Sequence, residues 1–143
     1  MKAKVNYNDR EVEIELTAEQ IEKIENTKFG DYRDIRTFED ACEALGKKWA
    51  EPKGLAVDII AYMKLRIIAK ALNGGSWMTY QDTDEGKYYP YFNAAGSASG
   101  FSYHDCLYGY SLSLVGSRLT FKTADMAKYA GTQFLEIYNQ YIN

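Results

Sequence analysis

Cysteine is scarce in this 143-residue chain. Cys42 and Cys106 are the only two, too few for a disulfide framework. Neither sits in a CxxC pair, so both read as reduced thiols. Histidine is scarcer still, with His104 alone. Three Cys and His residues in all cannot supply the four ligands of a structural zinc site. Long hydrophobic runs are missing too. The most apolar stretch, residues 55–72, is interrupted by Asp58, Lys64, Arg66 and Lys70, which excludes it as a membrane span. The first residues lack the apolar region of a secretory signal. The expected setting is the cytoplasm of a bacterial-type cell. No large charge excess appears either: the net charge of −3 gives no broad attraction to nucleic acid. The imbalance is local. Residues 1–51 hold 9 basic and 13 acidic residues, whereas residues 52–143 hold 8 and 7, so the second part is the less hostile to a phosphate backbone.

What is present fits a folded domain. Hydrophobic residues make up 46% and charged residues 26%, a globular and not a disordered balance. The length supports a core without metal or disulfide staples. Val5 and Tyr7, a turn at Asn8-Asp9, then Val12, Ile14 and Leu16 alternating with glutamates read as a hairpin with one buried face. Thr17 and Gln20 form a capping box for a short helix ending near Asn26, with Leu16 and Ile21 at the staple positions. Thr37 starts a second helix carrying Phe38, Ala41, Cys42 and Leu45 on one face, and Gly46 stops it. Residues 47–54 read as a surface loop with Trp49 tucked against the core.

Residues 55–73 form the clearest helix. Asp58, Tyr62, Arg66, Lys70 and Asn73 share a polar stripe, and the rest of the girth is apolar, as befits a central element packed on more than one side. Residues 88–92, 101–115 and 119–122 read as strands of an antiparallel meander, with a mobile turn over 93–100. A last helix follows Thr123, with Ala127, Ala130, Phe134, Ile137 and Tyr141 at helical spacing. Gly131 inside it marks a close crossing. No repeat or linker divides the chain. The expectation is one α+β domain over residues 1–143, an antiparallel sheet packed against about four helices.

Lys87-Tyr88-Tyr89-Pro90-Tyr91-Phe92, the run from Val115 to Thr123, and Ala127-Lys128-Tyr129-Ala130-Gly131 with Gln133-Phe134 form an ordered set of motifs. Thr37 to Cys42 and Ala71-Leu72-Asn73-Gly74-Gly75-Ser76-Trp77 precede them. Over most of residues 37–142 the set resembles a group of small uncharacterised proteins carried by bacteriophages and prophages of gut bacteria. The resemblance implies a phage-type accessory protein in the host cytoplasm and no particular activity. Members often have a second tryptophan soon after the first. Here Trp77 is followed by Met78-Thr79-Tyr80-Gln81-Asp82.

Catalytic and ligand motifs fail on spacing. On a strand, His104 and Cys106 share a face while Asp105 points away, so no third group orients the pair. Asp82-Thr83-Asp84-Glu85-Gly86 starts like a calcium loop, but its glycine comes one position early and Asn93 stands where the closing glutamate belongs. The small-residue run 93–100 lacks the lysine and the following helix of a phosphate cradle. No catalytic residue, metal or cofactor is expected.

Tyrosine is the abundant exception, at thirteen. Seven fall within residues 80–110. Together with Trp77, Phe92 and Phe101, the residues Tyr88, Tyr89, Tyr91, Tyr103, Tyr108 and Tyr110 make an aromatic strand-and-loop region. Tyrosine combines large area with a polar tip at low entropy cost, which suits an interface. Aromatic residues also favour strands and fill cores. The expectation is a non-enzymatic binding protein that engages a protein partner through this surface. The alternative is a single-stranded nucleic-acid or nucleotide binder, with rings stacking on bases and Lys87, Arg118 and Lys122 meeting phosphates. A small hydrolase or transferase is a third reading. Partner identity and oligomeric state are not written in the sequence.

Overall fold

The computed structural model describes residues 2–7, 10–20, 29–94 and 100–143. The chain divides into two compact units, Met1–Gly30 and Asp31–Asn143, a division that no linker in the sequence marks. In the first unit, β1 (Lys2–Tyr7) pairs antiparallel with β2 (Arg10–Glu15), with Val5 opposite Val12 and Ala3 opposite Ile14. The hairpin and its register follow the alternation. The buried face does not: β2 is exposed at every residue, Val12 and Ile14 included. A two-stranded ribbon has no interior of its own and needs a further layer to cover its apolar side. The capping box forms as expected, with the Thr17 N–H donating to Gln20 Oε1 and the Gln20 N–H to Thr17 Oγ1, and residues 18–20 are helical. The turn at 8–9, the staple residue Ile21 and the helix end near Asn26 lie outside the described residues.

The second unit carries the core. Asp31 caps a 3₁₀ turn, Tyr32–Asp34, and grips Arg33 through both carboxylate oxygens at 3.0 and 2.9 Å. Helix α1 (Phe38–Ala44) begins in a capping box between Thr37 and Asp40. It ends as the glycine predicts. Gly46 has φ 61°, its N–H donates to the Glu43 carbonyl, and the Lys47 N–H reaches back to Cys42, satisfying two orphan carbonyls. Trp49 packs edge-on against Phe38 with centroids 5.1 Å apart.

Helix α2 (Val57–Leu72) is central, as its wheel demands. It buries Ala61, Leu65, Ile67, Ile68, Ala69, Ala71 and Leu72, and it packs against α1, the last helix and the 117–119 turn. Asn73 follows it, buried, and its side chain accepts from the Lys122 N–H at 3.0 Å and donates to the Thr120 carbonyl at 2.8 Å. This amide clamp fastens the 120–122 segment to the end of α2.

β3 (Lys87–Asn93) pairs antiparallel with β4 (Ser102–Gly109), with an irregularity at Tyr91/Phe92. The third strand of the expected meander is reduced to one residue. Phe121 exchanges both backbone hydrogen bonds with Tyr88, at 3.0 and 2.7 Å, and is fully buried. β4 stops at Gly109, short of the expected Val115, because the chain folds back there: a Cβ on Gly109 would meet the Leu112 carbonyl oxygen at 2.6 Å. Residues 117–119 form a 3₁₀ turn, which takes in the bend expected at Gly116-Ser117 and replaces the expected strand start at Leu119.

The expected last helix is two. Helix α3 (Ala124–Gln133), capped by Thr123, and helix α4 (Leu135–Ile142) meet at Phe134. Backbone bonds run through the junction, from Phe134 N–H to Ala130 and from Tyr138 N–H to Phe134, so it is a kink. Thr132 returns its hydroxyl to the Lys128 and Tyr129 carbonyls just before it, a bond that bends helices. Gly131 is the close crossing: a Cβ there would lie 2.6 Å from the Tyr103 ring and 2.8 Å from Pro90. The α+β class and the antiparallel pairing stand as the sequence indicated.

Candidate binding surface

The β3–β4 hairpin sets the aromatic residues out in cross-strand pairs. Tyr88 and Tyr108 face each other with centroids 5.5 Å apart, and Tyr110 joins edge-on at 6.0 Å from Tyr108. Tyr91 meets His104 at 5.1 Å. On the helix side, Phe92 contacts Tyr103 and the buried Tyr138. Such pairs contribute beyond simple area burial. None of the nine expected surface aromatics is buried. Tyr88, Tyr89, Tyr91, Phe92, Phe101, Tyr103 and Trp77 are half-buried, while Tyr108 is 62% and Tyr110 46% exposed.

The most exposed large apolar residues among those described lie just beyond them. Leu112 and Leu114 are each 83% exposed, and Leu107 is also exposed. A shallow groove of about 510 Å³ is lined by Tyr89, Tyr108, Tyr110, Leu112 and Leu114. A second, mainly apolar cavity of about 290 Å³ shares Tyr89 and Leu114 and is backed by Pro90, Phe101, Leu119 and Tyr138. The expected surface does not include the two leucines, Leu112 and Leu114, because residues 101–115 read as one continuing strand. The alternation of Tyr108, Tyr110, Leu112 and Leu114 with Gly109, Ser111 and Ser113 is that of a strand and does not signal their exposure.

Three expected site residues belong elsewhere. Lys87, expected to meet phosphate, is 0% exposed, and its ammonium donates to the backbone carbonyls of Asp82, Glu85 and Tyr110 at 2.7, 2.8 and 3.2 Å. Its three donors are spent on the 82–86 loop and on the chain at Tyr110, which leaves none for a phosphate. Trp77 is held against α2 by its Nε1–H donating to the Arg66 carbonyl at 2.9 Å. Its ring carries three cations, Lys70 and Arg118 at 4.6 Å and Arg66 at 5.1 Å from the centroid. Arg118 is therefore part of a separate basic cluster. Lys122, whose backbone is fixed by Asn73, is exposed.

The hairpin's one thiol, Cys106, is not activated by its described surroundings. Burial pushes the Cys106 thiol up, with Asp105 adding to the effect, and burial does the same to Cys42. A thiol favoured in its protonated form is the reverse of a reactive thiolate. Among the described residues no group of three or more His, Cys, Asp or Glu could hold a metal ion, and no described helix is long and apolar enough to cross a membrane. Comparison with models of protein families, with curated proteins and with solved structures gave no match in any of the three.

Proposed function

We propose that this chain is a binding protein that docks a protein partner on the apolar ribbon formed by the end of β4 and the fold-back after it. The observation that carries the reading is the outward display of Leu112 and Leu114, each 83% exposed, beside Tyr108 and Tyr110. A contiguous apolar patch is unusual on a monomer's surface and marks a contact site. Aromatic anchors next to a preformed cavity are the usual make-up of an interface hot spot. The motif resemblance to phage and prophage proteins supports a phage accessory factor acting on a host or phage protein in the host cytoplasm. Base stacking on the tyrosines is the weaker reading, since Lys87 is sequestered and Arg118 faces Trp77.

The test is affinity capture from a bacterial host with the wild-type chain and a Tyr108→Ala/Leu112→Ser/Leu114→Ser variant of unchanged circular dichroism. The expected result is a stoichiometric partner retained by the first and lost by the second. Identical capture by both would refute the assignment of this surface.

A further inference from the structure

The basic cluster on Trp77 lies apart from the tyrosine ribbon and has no part in the proposed docking. Arg66 and Lys70 stand one turn apart on α2, and Arg118 comes from the 117–119 turn. Each charged group is within 4.6–5.1 Å of one indole centroid, so the three lie within about 10 Å of one another, close enough to repel. Among the described residues, none of the three has a carboxylate within ion-pair distance. Arg66 Nε is a buried donor without a hydrogen-bond acceptor among the described residues, a condition that buried polar groups rarely tolerate.

The cluster is also held in place. The Trp77 N–H is fixed to the Arg66 carbonyl, and the Asn73 amide ties the 120–122 backbone to α2, which holds the Arg118 segment beside α2 and leaves Lys122 exposed. Cation–π contact and the negative end of the α2 dipole account for part of this gathering of charge. They leave the mutual repulsion unanswered, and one anion bound at the accessible ends of the three side chains answers it.

We propose that Arg66, Lys70 and Arg118, arranged on Trp77, bind a phosphate-type oxyanion. Two guanidinium forks and an ammonium match the several acceptor oxygens and multiple charge of phosphate better than a single carboxylate. The indole already carries cations, so the site reads charge and not a nucleobase. The anion could come from a free phosphate compound or from a nucleic-acid backbone; the shared chemistry is the phosphate group.

The test uses Trp49→Phe protein, which leaves Trp77 as its one indole, titrated with inorganic pyrophosphate at constant ionic strength. The expected result is a saturable change in Trp77 emission at or below about 1 mM that chloride does not reproduce. Arg118→Gln and Lys70→Gln each weaken it by about tenfold, as loss of one charge-assisted hydrogen bond requires, while Lys70→Arg retains it. Displacement of pyrophosphate by a single-stranded oligonucleotide assigns the anion to a nucleic acid, and failure to displace assigns it to a free phosphate compound. No saturable change up to about 10 mM, or equal affinity in folded Arg118→Gln and Lys70→Gln proteins, overturns the proposal.

Discussion

A lysine ammonium enclosed by protein needs all three donors satisfied, and Lys87 achieves this with backbone carbonyls alone. Replacing it with methionine keeps the stem but leaves three acceptors facing an apolar group. The expected loss is about 2–4 kcal/mol, read from urea unfolding midpoints. The sequence could not reveal this. A lysine beside a tyrosine run looks like an exposed contact, and the Tyr110 carbonyl that helps enclose it comes from the fold-back just past β4, 23 residues away. Tyr138 gives a residue-scale pH effect. Its burial raises the phenol above its ordinary value of 10.0. Above pH 10 the unfolded chain therefore loses this proton before the folded one does. Stability is unaffected by the group below that pH and falls as the pH rises beyond it. Tyr138→Phe should flatten the alkaline slope of stability against pH relative to the wild type.

At the scale of elements, capping was legible and tertiary bends were not. Thr17, Thr37 and Thr123 cap where their spacing says, and Gly46 stops α1, because these bonds are local. The break at Phe134 and the early end of β4 were hidden because apolar periodicity runs on through both. The early end of β4 goes with the fold-back that sets the Leu112 carbonyl against Gly109, and the bend at Phe134 with the Thr132 hydroxyl bonds, while Pro90 and Tyr103 press on α3 at Gly131. Gly131→Ala tests the crossing. Alanine normally stabilises a helix interior by about 1 kcal/mol over glycine, yet here its Cβ collides with Tyr103 and Pro90, so a net loss of about 1–3 kcal/mol is expected in thermal unfolding. Asn73→Ala removes both arms of the amide clamp and leaves the Thr120 carbonyl and the Lys122 N–H without it. A loss of about 2–3 kcal/mol is expected, with the 120–122 amides exchanging faster with deuterium.

For the whole molecule, the fold class and the central helix could be read from hydrophobic pattern, and so could the region of the candidate surface. The most exposed part of that surface could not. Leu112 and Leu114 look like strand residues, and only the fold-back after Gly109 turns them outward. Residues that exposed contribute little to stability, so Leu112→Ser/Leu114→Ser is expected to unfold within about 0.5 kcal/mol of wild type while losing its partner. The most direct test puts a photo-activated cross-linking residue at position 112 in cells that contain the partner, with position 53, on the exposed 47–54 loop, as control. The expected result is one discrete protein adduct at 112 and none at 53; the same pattern at both positions, or no adduct at either, would contradict a docking role for this surface.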